Sequence, residues 1–142
     1  MKAERLRKIP LFEGLSDHQY ERLERWTDEI DVPTSKHLVN QGAYPHEFMV
    51  IETGTAEVTH DGTHLADLGP GDFFGEMALL LNVPRTATVV ATSDITLVVM
   101  HERDFRAMED GIPAVAERVN TIMEERRARS ADQGIEAPEA EG

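Results

Sequence analysis

The sequence predicts a mainly β fold with helices at both ends. Two observations carry that expectation. From Lys36 to Met100, short runs rich in Val, Ile, Thr and Phe alternate with Gly and Asp turn signals, the pattern of a small barrel or roll. Both flanks instead space their apolar residues at three and four, the helical period. A third feature, Asp61-Gly62 between two such runs, is a strong two-residue hairpin signal.

Ile9-Pro10-Leu11-Phe12 is a short apolar lead-in, and Gly14 supplies a turn. Ser16-Asp17-His18-Gln19 reads as a capping box, with a hydroxyl cap and a glutamine three residues later. Tyr20, Leu23 and Trp26 then give one apolar helix face, and Pro33 is expected to end the helical segment, 1–32. A β-roll over 33–102 follows. Its strands are expected at Leu38-Val39, Phe48–Ile51, Ala56–Thr59, Leu65–Leu68, Arg85–Ala91 and Ile95–Met100. If Asp61-Gly62 is the loop, His60 faces Thr63, Thr59 faces His64, and Val58 faces Leu65.

Helices return over 103–129. Asp104–Glu109 reads as a short helix broken at Gly111, and Pro113 suits the first turn of a longer one. The longer helix carries Val115, Val119, Ile122 and Met123 as a stripe. Residues 130–142 are rich in Ala, Glu and Gly, and are expected to form a disordered tail. No internal repeat is visible.

The length of 142 residues suits one domain, here 1–129, with a core of its own. Zero cysteines exclude disulfides, iron–sulfur clusters, thiol nucleophiles and cysteine zinc sites. No apolar run approaches the ~20 residues of a membrane span, and the N-terminus lacks a signal-peptide core, so a cytoplasmic protein without a membrane partner is expected. Fourteen basic residues against 27 acidic ones give a formal net charge of -13, which opposes non-specific binding to nucleic acid or anionic lipid. Between His37 and Glu102 the only Lys or Arg is Arg85.

That arginine sits in the segment that carries chemistry. Gly71-Asp72-Phe73-Phe74-Gly75-Glu76-Met77-Ala78 places a glycine before a run of good helix formers. A glycine there lets backbone approach a ligand closely, and the unpartnered N–H groups of a new helical turn suit phosphate. In the strand after Pro84, Arg85 shares a face with Ala87, Val89 and Ala91. If that face is interior, the guanidinium needs an anion, since it cannot shed its proton. Glu76 beside the glycine could accept a hydrogen bond from a ribose hydroxyl. A phosphate site and a ribose site in one loop imply a nucleotide. One arginine, with no lysine and no evident metal set, implies a low-charge phosphate.

Phe74-Gly75-Glu76-Met77-Ala78-Leu79, followed by Pro84-Arg85-Thr86-Ala87-Thr88, resembles the phosphate-binding cassette of cyclic-nucleotide-binding domains, the family of the bacterial catabolite activator protein and the regulatory subunits of cyclic-AMP-dependent kinase. Ile9–Ser16 is similar to that family's N-terminal lead-in, and Gly42, Gly54, Gly62 and Gly71 fall at its roll turns. The resemblance implies a double-stranded, jelly-roll-like β-helix with an N-terminal helix and C-terminal lid helices. It implies that Glu76 holds the ribose 2′-hydroxyl and Arg85 the cyclic phosphate. The amides near Gly75 and Ala78 would complete the cradle, with Met77 and Ala87 beside them. Thr86 would lie next to phosphate and base. The implied ligand is cyclic AMP, with cyclic GMP as the alternative. No cofactor and no catalysis are implied. The lid would be Pro113–Arg129, using Val119, Met123 or Ser130. Bacterial regulators of this family append a winged-helix domain; this chain has none up to Gly142, so direct DNA binding is not expected, and the output would pass to an effector protein.

Blander readings compete at each point. The roll could be a degenerate, ligand-independent interaction module. Arg85 could bridge Glu76 or Glu102. The six histidines invite a cupin-type metal site, but no His-x-His pair occurs, and the hairpin register puts His60 and His64 on opposite faces. The Val115–Val119–Ile122 stripe most simply packs on the roll; its alternative use is a homodimer through the C-terminal helix. Arg126, Arg127 and Arg129 could form a small contact patch, but read more simply as a solvated helix end that complements the helix dipole.

Overall fold

A capping box starts the chain's main N-terminal helix. The Ser16 Oγ accepts from the Gln19 amide at 3.1 Å, and the Gln19 Oε1 accepts from the Ser16 amide at 3.0 Å, as the sequence predicts. The structure is a computed structural model that describes residues 2–42, 47–75 and 87–132, with side chains from 4 to 128 within them. Helix α1 (Lys2–Arg7) leads through a 3-10 turn (Pro10–Phe12) to α2 (Asp17–Trp26). The Tyr20 hydroxyl donates to the Phe12 carbonyl at 2.5 Å, which fixes that turn against α2.

α2 stops at Trp26, well short of the expected Pro33. Thr27 Oγ1 donates back to the Leu23 carbonyl at 2.8 Å, and Asp28–Val32 is strand β1. Ile30 and Val32 alternate with acidic residues, a two-residue period that a sheet edge accommodates and a buried helix face does not. The remaining strands are β2 (His37–Val39), β3 (Glu47–Thr53), β4 (Ala56–His60), β5 (Thr63–Leu68), β6 (Phe73–Phe74), β7 (Thr88–Ala91) and β8 (Ile95–His101). They form two antiparallel sheets, ordered β1-β8-β3-β6 and β2-β7-β4-β5.

The inner strands of the first sheet, β3 and β8, are buried on both faces. Phe48 lies opposite Met100, and Val50 lies opposite both Val98 and Phe73; all five join the core under the helices. The residues between them, Met49, Ile51, Leu97, Val99 and Phe74, point the other way. They meet Ala56, Val58, Leu68, Ala87, Val89 and Ala91 in the interior of the roll. Full burial of one such side chain is worth about 1.5–3 kcal/mol. Gly54 closes the β3–β4 turn at φ +96°, where an added Cβ would lie 2.5 Å from the Asp94 carbonyl oxygen.

The hairpin loop has positive φ at both Asp61 (51°) and Gly62 (80°). His60 faces Thr63 and Thr59 faces His64, as expected, but Val58 faces Ala66 instead of Leu65. A register shift between Val58 and Thr59 gives β5 the extra residue. Without it Ala56, fully buried, would oppose Asp67; with it Ala56 opposes Leu68.

After β8 come α3 (Glu102–Gly111) and α4 (Pro113–Asp132), so the last helix runs past residue 129. The part of the expected tail from 133 onward lies outside the described residues. Val115 and Val119 are buried in the core under the helices, and Ile122 packs against it, so the stripe is used within the chain. Arg118 Nη1 donates to the Leu11 and Glu13 carbonyls at 2.9 and 2.8 Å, which ties α4 to the lead-in. Among the described residues no helix is long and apolar enough to cross a membrane.

Two outcomes follow. Phe48 is fully buried, with ring centroids 5.4 Å from Phe73 and 4.9 Å from Phe105. Phe48→Ala should therefore cost about 3–5 kcal/mol of unfolding free energy in a urea titration. His64, on the exposed side of the hairpin, is raised above the ordinary imidazole value, chiefly by its hydrogen bond to Glu57. Its small contribution to stability is present in full below the unfolded imidazole pKa and is lost as pH rises through the folded one. An NMR titration should place its midpoint above that of a free histidine, and Glu57→Gln should lower it.

Candidate functional site

The chemistry-bearing segment is entered from β6 and left into β7. At the first end, β3 holds the approach. The Gly71 amide donates to the Ile51 carbonyl, and the Ile51 amide donates to the Asp72 carbonyl, both at 2.8 Å. Asp72 closes its own turn, accepting from the Gly69 amide at 2.8 Å. β6 then sends Phe73 to the helix side and Phe74 into the roll. Gly75 follows, buried, at φ +96°, in the left-handed region that side chains disfavour.

At the second end, the chain is back in the roll at Ala87, which is fully buried. Val89 and Ala91 share its interior face, while Thr88 and Val90 are half-buried on the other. This is the alternation expected of the strand, and the face that would carry Arg85 is interior from Ala87 onward. Of the predicted site residues, the structure thus places Gly75 and Ala87. Glu76, Met77, Ala78, Arg85 and Thr86 lie outside the described residues.

The expected lid residues are also located. Val119 and Met123 are buried, Val119 in the core under the helices; the Ser130 side chain lies outside the described residues. Arg126 corrects the reading of a solvated helix end. It is 4% exposed, with its guanidinium 4.8 Å from the centroid of the Phe73 ring. Arg127, in contrast, is exposed and pairs with Glu124 at 3.5 Å. The signal for Arg126 was present in the sequence: it follows Val119 by seven and Met123 by three, on the same helix face.

Sequence reasoning also missed a charged cluster beside α1. Arg5 bridges Glu29 of β1 and Glu52 of β3. Burial, reinforced by Glu29, raises the Glu52 pKa against the opposing pull of Arg5. On the hairpin, His60 meets Asp61 at 3.3 Å, and His64 meets Glu57 at 2.7 Å and Asp67 at 3.7 Å. Among the described residues no three His, Asp or Glu side chains are gathered as a metal-binding group.

Comparison with known proteins bears on this geometry. The family described as the cyclic nucleotide-binding domain matches residues 29–110. The chain belongs to that family. It is 32% identical over 120 residues to a cyclic nucleotide-gated potassium channel of Rhizobium etli, covering 84% of this chain and 33% of the channel. It is 32% identical over 128 residues to the cyclic AMP receptor protein of Thermus thermophilus, covering 87% of this chain and 59% of the receptor. The chain therefore spans a third to three-fifths of the length of these relatives. Its fold is similar to the regulatory domain of Toxoplasma gondii PKA solved with cAMP, with a TM-score of 0.76 at 19% identity, covering 87% of this chain and 49% of that one. The β-roll with flanking helices is the fold of this family, as the sequence predicts.

The left-handed turn gives a direct test. Gly75→Ala should lower unfolding free energy by about 1–2 kcal/mol, and Gly75→Asn by less, since asparagine tolerates that region better. Equal stability of all three chains in urea would contradict the turn.

Proposed function

We propose that this chain is a cyclic-nucleotide-binding regulatory module, with cyclic AMP as the ligand of choice and cyclic GMP as the alternative. The observation that carries the reading is the pairing of a left-handed, buried Gly75 with a buried Ala87 at the two ends of the cassette-like segment. In this reading Arg85, two residues before Ala87 in the same strand period, meets the cyclic phosphate inside the roll. A guanidinium fork suits that anion, and the low-dielectric interior strengthens the contact. The amides near Gly75 and Ala78 add donors without adding charge. Glu76 accepts from the ribose 2′-hydroxyl, while Met77, Thr86 and Ala87 line the approach to phosphate and base.

The module acts by binding, not by catalysis, and needs no cofactor. Its output is the position of α4. Ligand shifts α4 only by as much as it favours one position over another. Val119 cannot cap a base while it is buried in the core under the helices, so a lid built from it requires α4 to move. An effector protein reads that position. Because the apolar stripe is already buried, a homodimer through α4 would rest on its polar face, which carries Glu117, Thr121 and Glu124.

Isothermal titration tests the assignment. Arg85→Ala should weaken cyclic AMP binding by about 2–5 kcal/mol, roughly 30-fold or more, as for a buried charge-assisted contact. Glu76→Gln should cost less, and 2′-deoxy cyclic AMP should reproduce much of that loss on the unaltered chain. Unchanged affinity in Arg85→Ala would sink the assignment. No heat from either nucleotide would favour a ligand-independent interaction module instead.

A further inference from the structure

We propose that Arg5, Glu29 and Glu52 form a proton-operated clasp, which docks α1 on the first sheet and is closed when the two carboxyl groups share one proton. The arginine comes from α1, and its two terminal nitrogens reach different strands. Nη1 donates to Glu29 Oε1 of β1, and Nη2 donates to Glu52 Oε2 of β3. One guanidinium thus gathers two carboxylates and neutralises only one of them. The Glu52 side chain is 11% exposed, so the surplus charge is held largely out of water.

The second oxygen of Glu52 decides the protonation. Oε1 is buried and has no hydrogen-bond partner among the described residues. Two ionised carboxylates are acceptors only and cannot bond to each other. One proton turns Oε1 into a donor toward Glu29, which supplies the missing bond and removes the surplus charge. Burial and Glu29 accordingly raise the Glu52 pKa, and Arg5 opposes them without reversing the shift. The other charged groups nearby are accounted for. Lys8, at the end of α1, lines the same cleft as Glu52. Glu4 is exposed, and Arg7 turns to Asp17 at 2.6 Å. On the turn beside β3, the Asp72 carboxylate accepts from the Gly69 amide. β8 sets Leu97 and Thr96 beside this part of β3, and the Thr96 hydroxyl donates to Asp31 of β1 at 2.7 Å.

A carboxyl whose folded pKa lies above its unfolded one stabilises the docked state fully below the unfolded value. That contribution is lost as pH rises through the folded value. α1 is therefore held more tightly in mild acid than at higher pH. Leu6, 1% exposed, anchors the helix through its apolar face at every pH, so the clasp sets how often α1 opens locally and leaves the global fold in place.

NMR on the whole chain without nucleotide tests this, from about pH 4 to about pH 8, a range that spans the ordinary glutamate value. The Glu52 carboxyl carbon reports its protonation. Hydrogen exchange of the Lys8 and Ile9 amides, which donate to the Arg5 and Leu6 carbonyls at 3.2 and 3.1 Å, reports the docking. The Glu52 midpoint should lie above the ordinary glutamate value. Protection of the two amides, corrected for intrinsic exchange, should fall about threefold or more as pH passes that midpoint. Glu52→Gln carries a permanent N–H donor in place of the proton, and should hold protection at the low-pH level throughout. Glu29→Gln should lower the Glu52 midpoint. A midpoint at or below the ordinary value, or protection that ignores the titration, overturns the clasp. So does a step of the same size that persists in Glu52→Gln. Should either variant lose its fold, the paired titration and exchange of the unaltered chain decide alone.

Discussion

The structure depends on one constraint, the two-residue period of the paired strands β3 and β8, which are apolar on both faces. In β3 and β8, alternate residues serve different cores. Phe48, Val50, Val98 and Met100 close against helices; Met49, Ile51, Leu97 and Val99 fill the roll. A slip of one residue would exchange the two sets and bring bulky rings into a space lined by Ala56, Ala87 and Ala91. The same constraint sets β6, where adjacent phenylalanines serve opposite faces immediately before the glycine turn. A displacement of that short strand is therefore felt on both sides of the sheet: by the roll interior through Phe74, and by α4 through the ring of Phe73 beneath Arg126.

Charge is arranged on the same plan. Basic residues concentrate in the flanking helices, and the helices use them. Arg5 ties α1 to β1 and β3, Arg118 ties α4 to the lead-in, and Arg126 covers Phe73. The region between His37 and Glu102 keeps a single arginine. A strongly acidic chain of this kind opposes unspecific binding of anions.

Much of this was legible from residue order. The capping box at Ser16, the hairpin loop at Asp61-Gly62, the stripe on α4 and the interior face from Ala87 to Ala91 each follow from a local rule acting within a few residues. The misreadings share a different cause. Strand β1 is acidic at three of its five positions and owes its conformation to pairing with β8, a partner some seventy residues away. The bulge in the β4–β5 hairpin answers a need to bury Leu68 opposite Ala56 that no turn rule contains. Strand β6 has two residues, too few for any period to show. Arg126 was read by its charge rather than by its helical phase. Family membership was legible in the motif around Gly75 and Arg85, a local pattern of residue types that can be read without any knowledge of the long-range pairing.

The central claim is that the lone arginine of the β region turns inward to meet a cyclic phosphodiester. A crystal structure of the chain grown with cyclic AMP tests it most directly. The account predicts the phosphate inside the roll, in contact with the Arg85 guanidinium and the amides that follow Gly75. A guanidinium directed into bulk water, with the nucleotide bound elsewhere or not at all, would contradict it.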